Sequence, residues 1–176
     1  HPLYLLIGNH DYCNNQQFLT RNHAFNSFKE IKNVTICDTV IKRTICGYDF
    51  IFTPYVPPGR FKEALATVED GEWSDVKCIF AHQEFYGCRF NPVMTSVDGD
   101  VWEEEMPMVV SGHIHNEQML QKNIYYTGSS MQHAFGESAN KIIALCKFSN
   151  KKAPSIKRIN LQLRKKKILY MNINEV

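Results

Sequence analysis

The sequence predicts a layered α/β sandwich. Three observations carry that expectation. Strand-like apolar runs alternate with amphipathic segments in the first half of the chain, and strand-like runs follow one another in the last third. Three of the apolar runs also stop abruptly in turns rich in His and Asn. Alternation that gives way to consecutive strands argues for layers rather than a purely parallel doubly wound sheet.

The elements are expected in this order. "LYLLIG" (3–8) is a continuous apolar run closed by glycine, which reads as a buried strand. "NNQQFLTRNHAFNSFKEI" (14–31) places Phe18, Phe25 and Phe28 near helical spacing and predicts a helix over that strand. "VTICD" and "TICGYDFIFTPY" read as strands, the second bent as a hairpin at Gly47. Pro57-Pro58-Gly59 is punctuation before a short amphipathic helix, and "VKCIFAHQEF" is a buried strand with a polar end. Residues 87–107 read as a loop with one helical turn near Trp102. "MVVSGHIH" is a strand ending in a His pair, and "EQMLQKNIYYTGSS" suits two short strands turning at Lys122-Asn123. "NKIIALCKFSN", "SIKRINLQL" and "KKILYMNI" are expected strands, and "SNKKAPS" (149–155) is the one plausible linker.

Composition narrows the class. The 176 residues are 44% hydrophobic and 22% charged, which suits one core-forming domain. No apolar stretch approaches a membrane span, and "HPLYLLIGNHDY" has neither the basic lead nor the cleavage site of a signal peptide. Six dispersed cysteines with no C-x-x-C read as reduced thiols in a reducing compartment, cytoplasm or nucleus. Charge is divided unevenly. Residues 1–137 hold 17 acidic and 10 basic side chains, whereas 138–176 hold one acidic and 10 basic. A basic end of this kind either meets an anion such as nucleic acid or is a solvated tail.

The chemistry gathers at three strand ends: "YLLIG-NHD", "KCIFA-HQE" and "MVVSG-HIH". Sites in α/β folds form where strands deliver their C-terminal ends. Here those ends supply Asn9, His10, Asp11, His82, His113 and His115. His113 and His115 share a face if the strand continues, or reach two neighbouring ions if it turns. Imidazole nitrogens with amide or carboxylate oxygens suit Mn, Fe or Zn better than Ca or Mg.

In this order the motifs GNHD, a strand-terminal His and GHxH resemble the calcineurin-type metallophosphoesterase superfamily, over residues 4 to about 148. The stretch "YYTGSSMQHAFGESANKIIAL" (125–145) is similar to the Mre11/SbcD nuclease branch and its phage and viral relatives. The resemblance implies an α-β-β-α sandwich with residues 1–150 as the C-terminal part of the nuclease domain and 151–176 as a basic strand segment, the start of a DNA-capping region. It implies Asn9, His82 and His113 as ligands of one metal and His115 as a ligand of a second. It assigns His10 to the scissile phosphate and the leaving oxygen, with Asp11 holding its ring. Two divalent ions follow, with Mn as the activating metal and Fe, Zn or Mg as the other candidates. DNA is the implied substrate and an SMC-like (Rad50/SbcC-type) ATPase the implied partner, and a homodimer is one assembly the resemblance allows.

The family's opening Asp-x-His and the following Gly-Asp, whose carboxylate bridges the two metals, do not occur ahead of GNHD. The sequence therefore reads as lacking the N-terminal strands and motifs, which an upstream segment or a second chain would supply. His133 and the lysines Lys165, Lys166 and Lys167 are candidate substrate contacts. The default for the lysines is a solvated β-turn. Two rival readings stand beside the nuclease: a metallophosphatase for small molecules or phosphoproteins, and a non-catalytic scaffold that binds a partner.

Overall fold

The computed structural model describes residues 1–150 and 153–170. Its centre is a six-stranded mixed sheet. The strands are β3 (Ile41–Ile45), β4 (Tyr48–Thr53), β5 (Cys78–Ala81), β6 (Val109–Ser111), β7 (Gln118–Gln121) and β8 (Ile124–Tyr126). They lie in the order β3-β4-β5-β6-β8-β7. The four inner strands are parallel, and β3 and β7 close the edges as antiparallel hairpin partners. The β3–β4 turn falls at Cys46-Gly47, where both residues have positive φ (51° and 81°), the twist that a two-residue hairpin needs.

Both faces of the inner strands are buried, and alternate residues serve opposite cores. Phe50, Phe52, Cys78, Phe80, Val110 and Tyr125 face one side. Ile51, Ile79, Ala81, Val109, Ile124 and Tyr126 face the other. The first side is covered by Tyr4 and Leu6 of β1 (Leu3–Leu6), which pairs in parallel with β2 (Val34–Cys37). It is also covered by Ala144 and Ile156 of the antiparallel pair β9 (Ile143–Lys147) and β10 (Ser155–Ile159). The second side is covered by α1 (Phe61–Leu65) and by Phe85 and Trp102 from the connecting segments. Each fully buried side chain of this kind contributes about 1.5–3 kcal/mol.

This arrangement corrects the expected α-β-β-α sandwich. Among the described residues the only helices are the five-residue α1 and a 3₁₀ turn at Asn26–Glu30. The helix expected over 14–31 is mostly irregular chain. Its polar side chains take up backbone groups that a helix would need. Asn14 Oδ1 accepts the Gln16 N–H, Thr20 Oγ1 accepts the Asn22 N–H, and Asn26 Nδ2 donates to the Arg21 and His23 carbonyls. Leu19 also has φ 46°. The segment is held by tertiary contacts instead. His23 is buried, and its Nε2 lies 3.1 Å from Asp38 Oδ2, which also accepts from Lys29 Nζ at 2.6 Å.

The later segments follow the expected pattern in part. Residues 87–107 form a loop, with a turn from Glu103 to Met106 beside the buried Trp102. The strand expected from Ser155 stops at Ile159, and residues 160–170, including the lysines expected in a β-turn, have no regular structure. Part of "KKILYMNI" and part of the expected linker at 149–155 lie outside the described residues. All six cysteines are unpaired. No helix among the described residues is long and apolar enough to cross a membrane.

Candidate metal centre

Register brings the motifs together. Thr53, Ala81, Ser111 and Tyr126 stand in one row across β4, β5, β6 and β8. One or two residues further on, the chain delivers Tyr55, His82 and His113 at the same edge. The turn after β1 joins them there: Ile7 O accepts the Tyr55 N–H at 2.7 Å. Asn9 Oδ1 then lies 3.1 Å from His82 Nε2. The His82 and His113 rings meet edge to face at 5.1 Å between centroids, and Tyr55 stacks on His113 at 5.8 Å.

Glycine makes the close approach workable. A Cβ on Gly8 would stand 3.1 Å from both Cε1 and Nε2 of His82 and 3.3 Å from Asp11 Oδ2. The Asp11 carboxylate accepts the Gly8 N–H at 2.7 Å and so closes the turn that presents Asn9 and His10. His10 is exposed and lines a cleft of about 340 Å³ with Asn9, Phe90, His113, His115 and Glu137. A cleft of about 430 Å³ lies at the opposite end of the strands, beside Tyr48, Val76 and Met108, and holds none of the motif residues.

The electrostatics favour neutral imidazoles. Burial pushes His82 down to about 3, and like-charge repulsion from His113, His10 and His115 adds to the shift. Burial also lowers His113, against the pull of the Glu84 carboxylate. His113 Nδ1 is buried with no hydrogen-bond partner, an expensive state for a ring nitrogen. Its Nε2 lies 3.6 Å from Glu84 Oε2, while Glu84 Oε1 is held by the Ser96 hydroxyl at 2.6 Å.

Sequence reasoning missed the polar lattice behind these histidines. Gln83 is fully buried; its Oε1 accepts the Val56 N–H and its Nε2 donates to Asp100 Oδ2 at 2.7 Å. Asp100 Oδ1 accepts the Phe61 N–H, and Ser111 Oγ donates to the Gln83 carbonyl. The signal was present in "HQE" and "DGD", but nothing in the sequence says that those segments meet. Gly99 lets them meet. A Cβ there would overlap the Phe85 carbonyl carbon and stand 2.6 Å from the Tyr86 nitrogen.

His115 belongs to a separate cluster on the same cleft. Its Nδ1 lies 2.8 Å from Glu137 Oε1, and its ring lies 4.7 Å from that of His133. Burial would raise the Glu137 carboxyl, but the His133 N–H, His115 and Lys141 outweigh it and bring it down to about 2. The basic tail arrives here as well: Lys166 donates its N–H to Gln132 Oε1 and its Nζ to the His133 carbonyl. Lys165 and Lys167 are exposed.

Among the described residues no three His, Cys, Asp or Glu side chains form a metal-holding group by themselves. The set at the strand ends is two histidines completed by an amide oxygen. The unpartnered His113 nitrogen, the neutral His82 and the Gly8 cradle all fit a bound divalent ion on Asn9, His82 and His113.

The chain is similar over nearly its whole length to two curated viral proteins. It is 50% identical over 176 residues to "Putative phosphoesterase 078R" of Invertebrate iridescent virus 3, covering 99% of this chain and 50% of the relative. It is 49% identical over 164 residues to "Putative phosphoesterase 244L" of Invertebrate iridescent virus 6, covering 93% of this chain and 57% of the relative. These matches support a phosphoesterase family; they do not distinguish the narrower Mre11/SbcD branch. The chain spans about half the length of the curated relatives it matches. No protein-family model matches it.

Proposed function

We propose that this chain carries the histidine-rich half of a metal-dependent phosphoester hydrolase that acts on DNA. One observation carries the reading. Asn9, His82 and His113 come from three separate chain segments to one strand edge, where a buried imidazole nitrogen has no protein partner. The names of the two viral relatives support phosphoester hydrolysis in general.

Asn9, His82 and His113 would hold one divalent ion and His115 would contribute to a second, with Mn²⁺ the expected activator. Such ions supply Lewis-acid polarisation of a phosphoryl oxygen and water of lowered pKa. The chain's own residues do the rest. His10, exposed on the cleft, hands a proton to the departing oxygen. Asp11 fixes the turn that aims His10, and Tyr55 and Gly8 hold the His113 and His82 rings. DNA is favoured over a small phosphoester because the basic tail reaches the rim of the cleft at His133, next to His115. An SMC-like ATPase partner belongs to the same reading.

The test is hydrolysis of a chromogenic phosphodiester and of linear duplex DNA by the complete protein, with Mn²⁺ and with EDTA. Metal-dependent cleavage of both is expected. Cleavage that survives EDTA would sink the metal reading, and cleavage of the small ester alone would sink the DNA reading.

A further inference from the structure

Glu137 makes a set of contacts that converge on one ligand-type residue. Its Oε1 lies 2.8 Å from His115 Nδ1. Its Oε2 accepts the His133 N–H at 2.9 Å and pairs with Lys141 Nζ at 3.0 Å. Its carbonyl accepts Gln132 Nε2 at 2.9 Å. Lys141 is itself buried, and its Nζ also donates to the His115 carbonyl at 2.8 Å. The carboxylate and the lysine therefore grip His115 from both sides, the ring through Glu137 and the backbone through Lys141.

A carboxylate can only accept, so its partner nitrogen must carry the proton. The hydrogen bond at one ring nitrogen sets the state of the other. We propose that Glu137 is the positioning residue for His115, holding the ring in its Nδ1–H form so that the bare Nε2 serves the cleft shared with Asn9, His10 and His113. Its use for metal binding rests on the function proposed above, but the tautomer does not. The dense anchoring of Glu137 matches such a role, because a carboxylate that orients a ligand must itself be fixed.

The experiment is ¹⁵N-histidine NMR of the complete protein in EDTA at pH 8, reading which ring nitrogen of His115 carries the proton. The wild type should show Nδ1–H. Glu137→Ala should convert it to Nε2–H, and so should Glu137→Gln, whose one amide oxygen turns to the two donors at the Oε2 position, His133 N–H and Lys141 Nζ, and presents its NH2 to His115. If Glu137→Ala fails to fold because Lys141 is left unpaired, Glu137→Ala combined with Lys141→Met removes both charges, and the same conversion is expected. An Nε2–H ring in the wild type, or Nδ1–H surviving without the carboxylate, overturns the proposal. A Mn²⁺ titration followed by EPR separates the two claims. Affinity should fall roughly 10–100-fold in both Glu137→Ala and Glu137→Gln. A wild type that binds no Mn²⁺ would overturn the metal reading while the NMR result still decides the role of Glu137.

Discussion

Asn9 Oδ1 lies 3.1 Å from Nε2 of His82, across 73 positions of chain, and Gly8 packs against the same ring. Placing a methyl group at Gly8 forces His82 to give by a few tenths of an ångström. Gly8→Ala should therefore lower phosphodiester hydrolysis by about 10-fold, since a misplacement of about 1 Å costs on the order of 100-fold. Thermal stability should change little. Unchanged kinetics with a folded protein would show that the position of His82 does not matter to the reaction.

His10 is exposed on the cleft, outside the Asn9–His82–His113 group. His10→Asn should leave metal content intact and lower the rate by about 10²–10⁴-fold, the usual contribution of a positioned acid. Metal analysis beside the rate measurement separates the roles. A variant that loses its metal marks His10 as a ligand.

Burial gives the metal-free protein a pH dependence. The folded chain holds His82 near 3, against about 6.5 when unfolded. Between those values the unfolded chain binds a proton that the folded chain refuses. The stability from this group is complete above about pH 6.5 and is lost as pH falls toward 3, at about 1.4 kcal/mol per pH unit. His82→Gln should flatten that slope in urea melts run in EDTA. Parallel slopes for the two proteins would contradict the burial argument.

Gly99 lets the "DGD" loop pack against the chain after β5. Gly99→Ala should cost about 1–3 kcal/mol, because the obstacles are backbone atoms of Phe85 and Tyr86 that cannot rotate away. The loop supplies Ser96 to Glu84 and Asp100 to Gln83, so activity should fall with stability. A melting temperature equal to that of the wild type would mean that the loop can shift without consequence.

Lys165 and Lys167 are exposed beside a tail residue that reaches the cleft rim. Replacing both with alanine should weaken DNA binding and reduce the salt slope by up to about 0.9 for each duplex phosphate no longer neutralised. Hydrolysis of a small phosphodiester should hardly change. An identical salt slope would remove the tail from the DNA path.

The strand ends were legible in the local pattern alone. Continuous apolar runs that stop at Gly8, Ala81 and Gly112 read as buried strands because they are short and end in polar turns, and the folded chain brings those ends to one edge. The sheet was legible for the same reason: "YDFIFT" and "KCIFA" are short, near-continuous apolar runs rich in aromatic and β-branched residues, the pattern of strands buried on both faces. Long-range packing settled what the pattern left open. Phe18, Phe25 and Phe28 mimic a helical face, yet Asn14, Thr20 and Asn26 bind the local backbone and leave that layer irregular. Glu84, Gln83, Glu137 and Lys141 stand in stretches the sequence marks, but their roles were not legible there, because those roles lie mainly in partners distant along the chain. Local pattern records what a segment buries. Which carboxylate stands behind which imidazole depends on how segments distant in sequence pack, and that is fixed only when the chain folds.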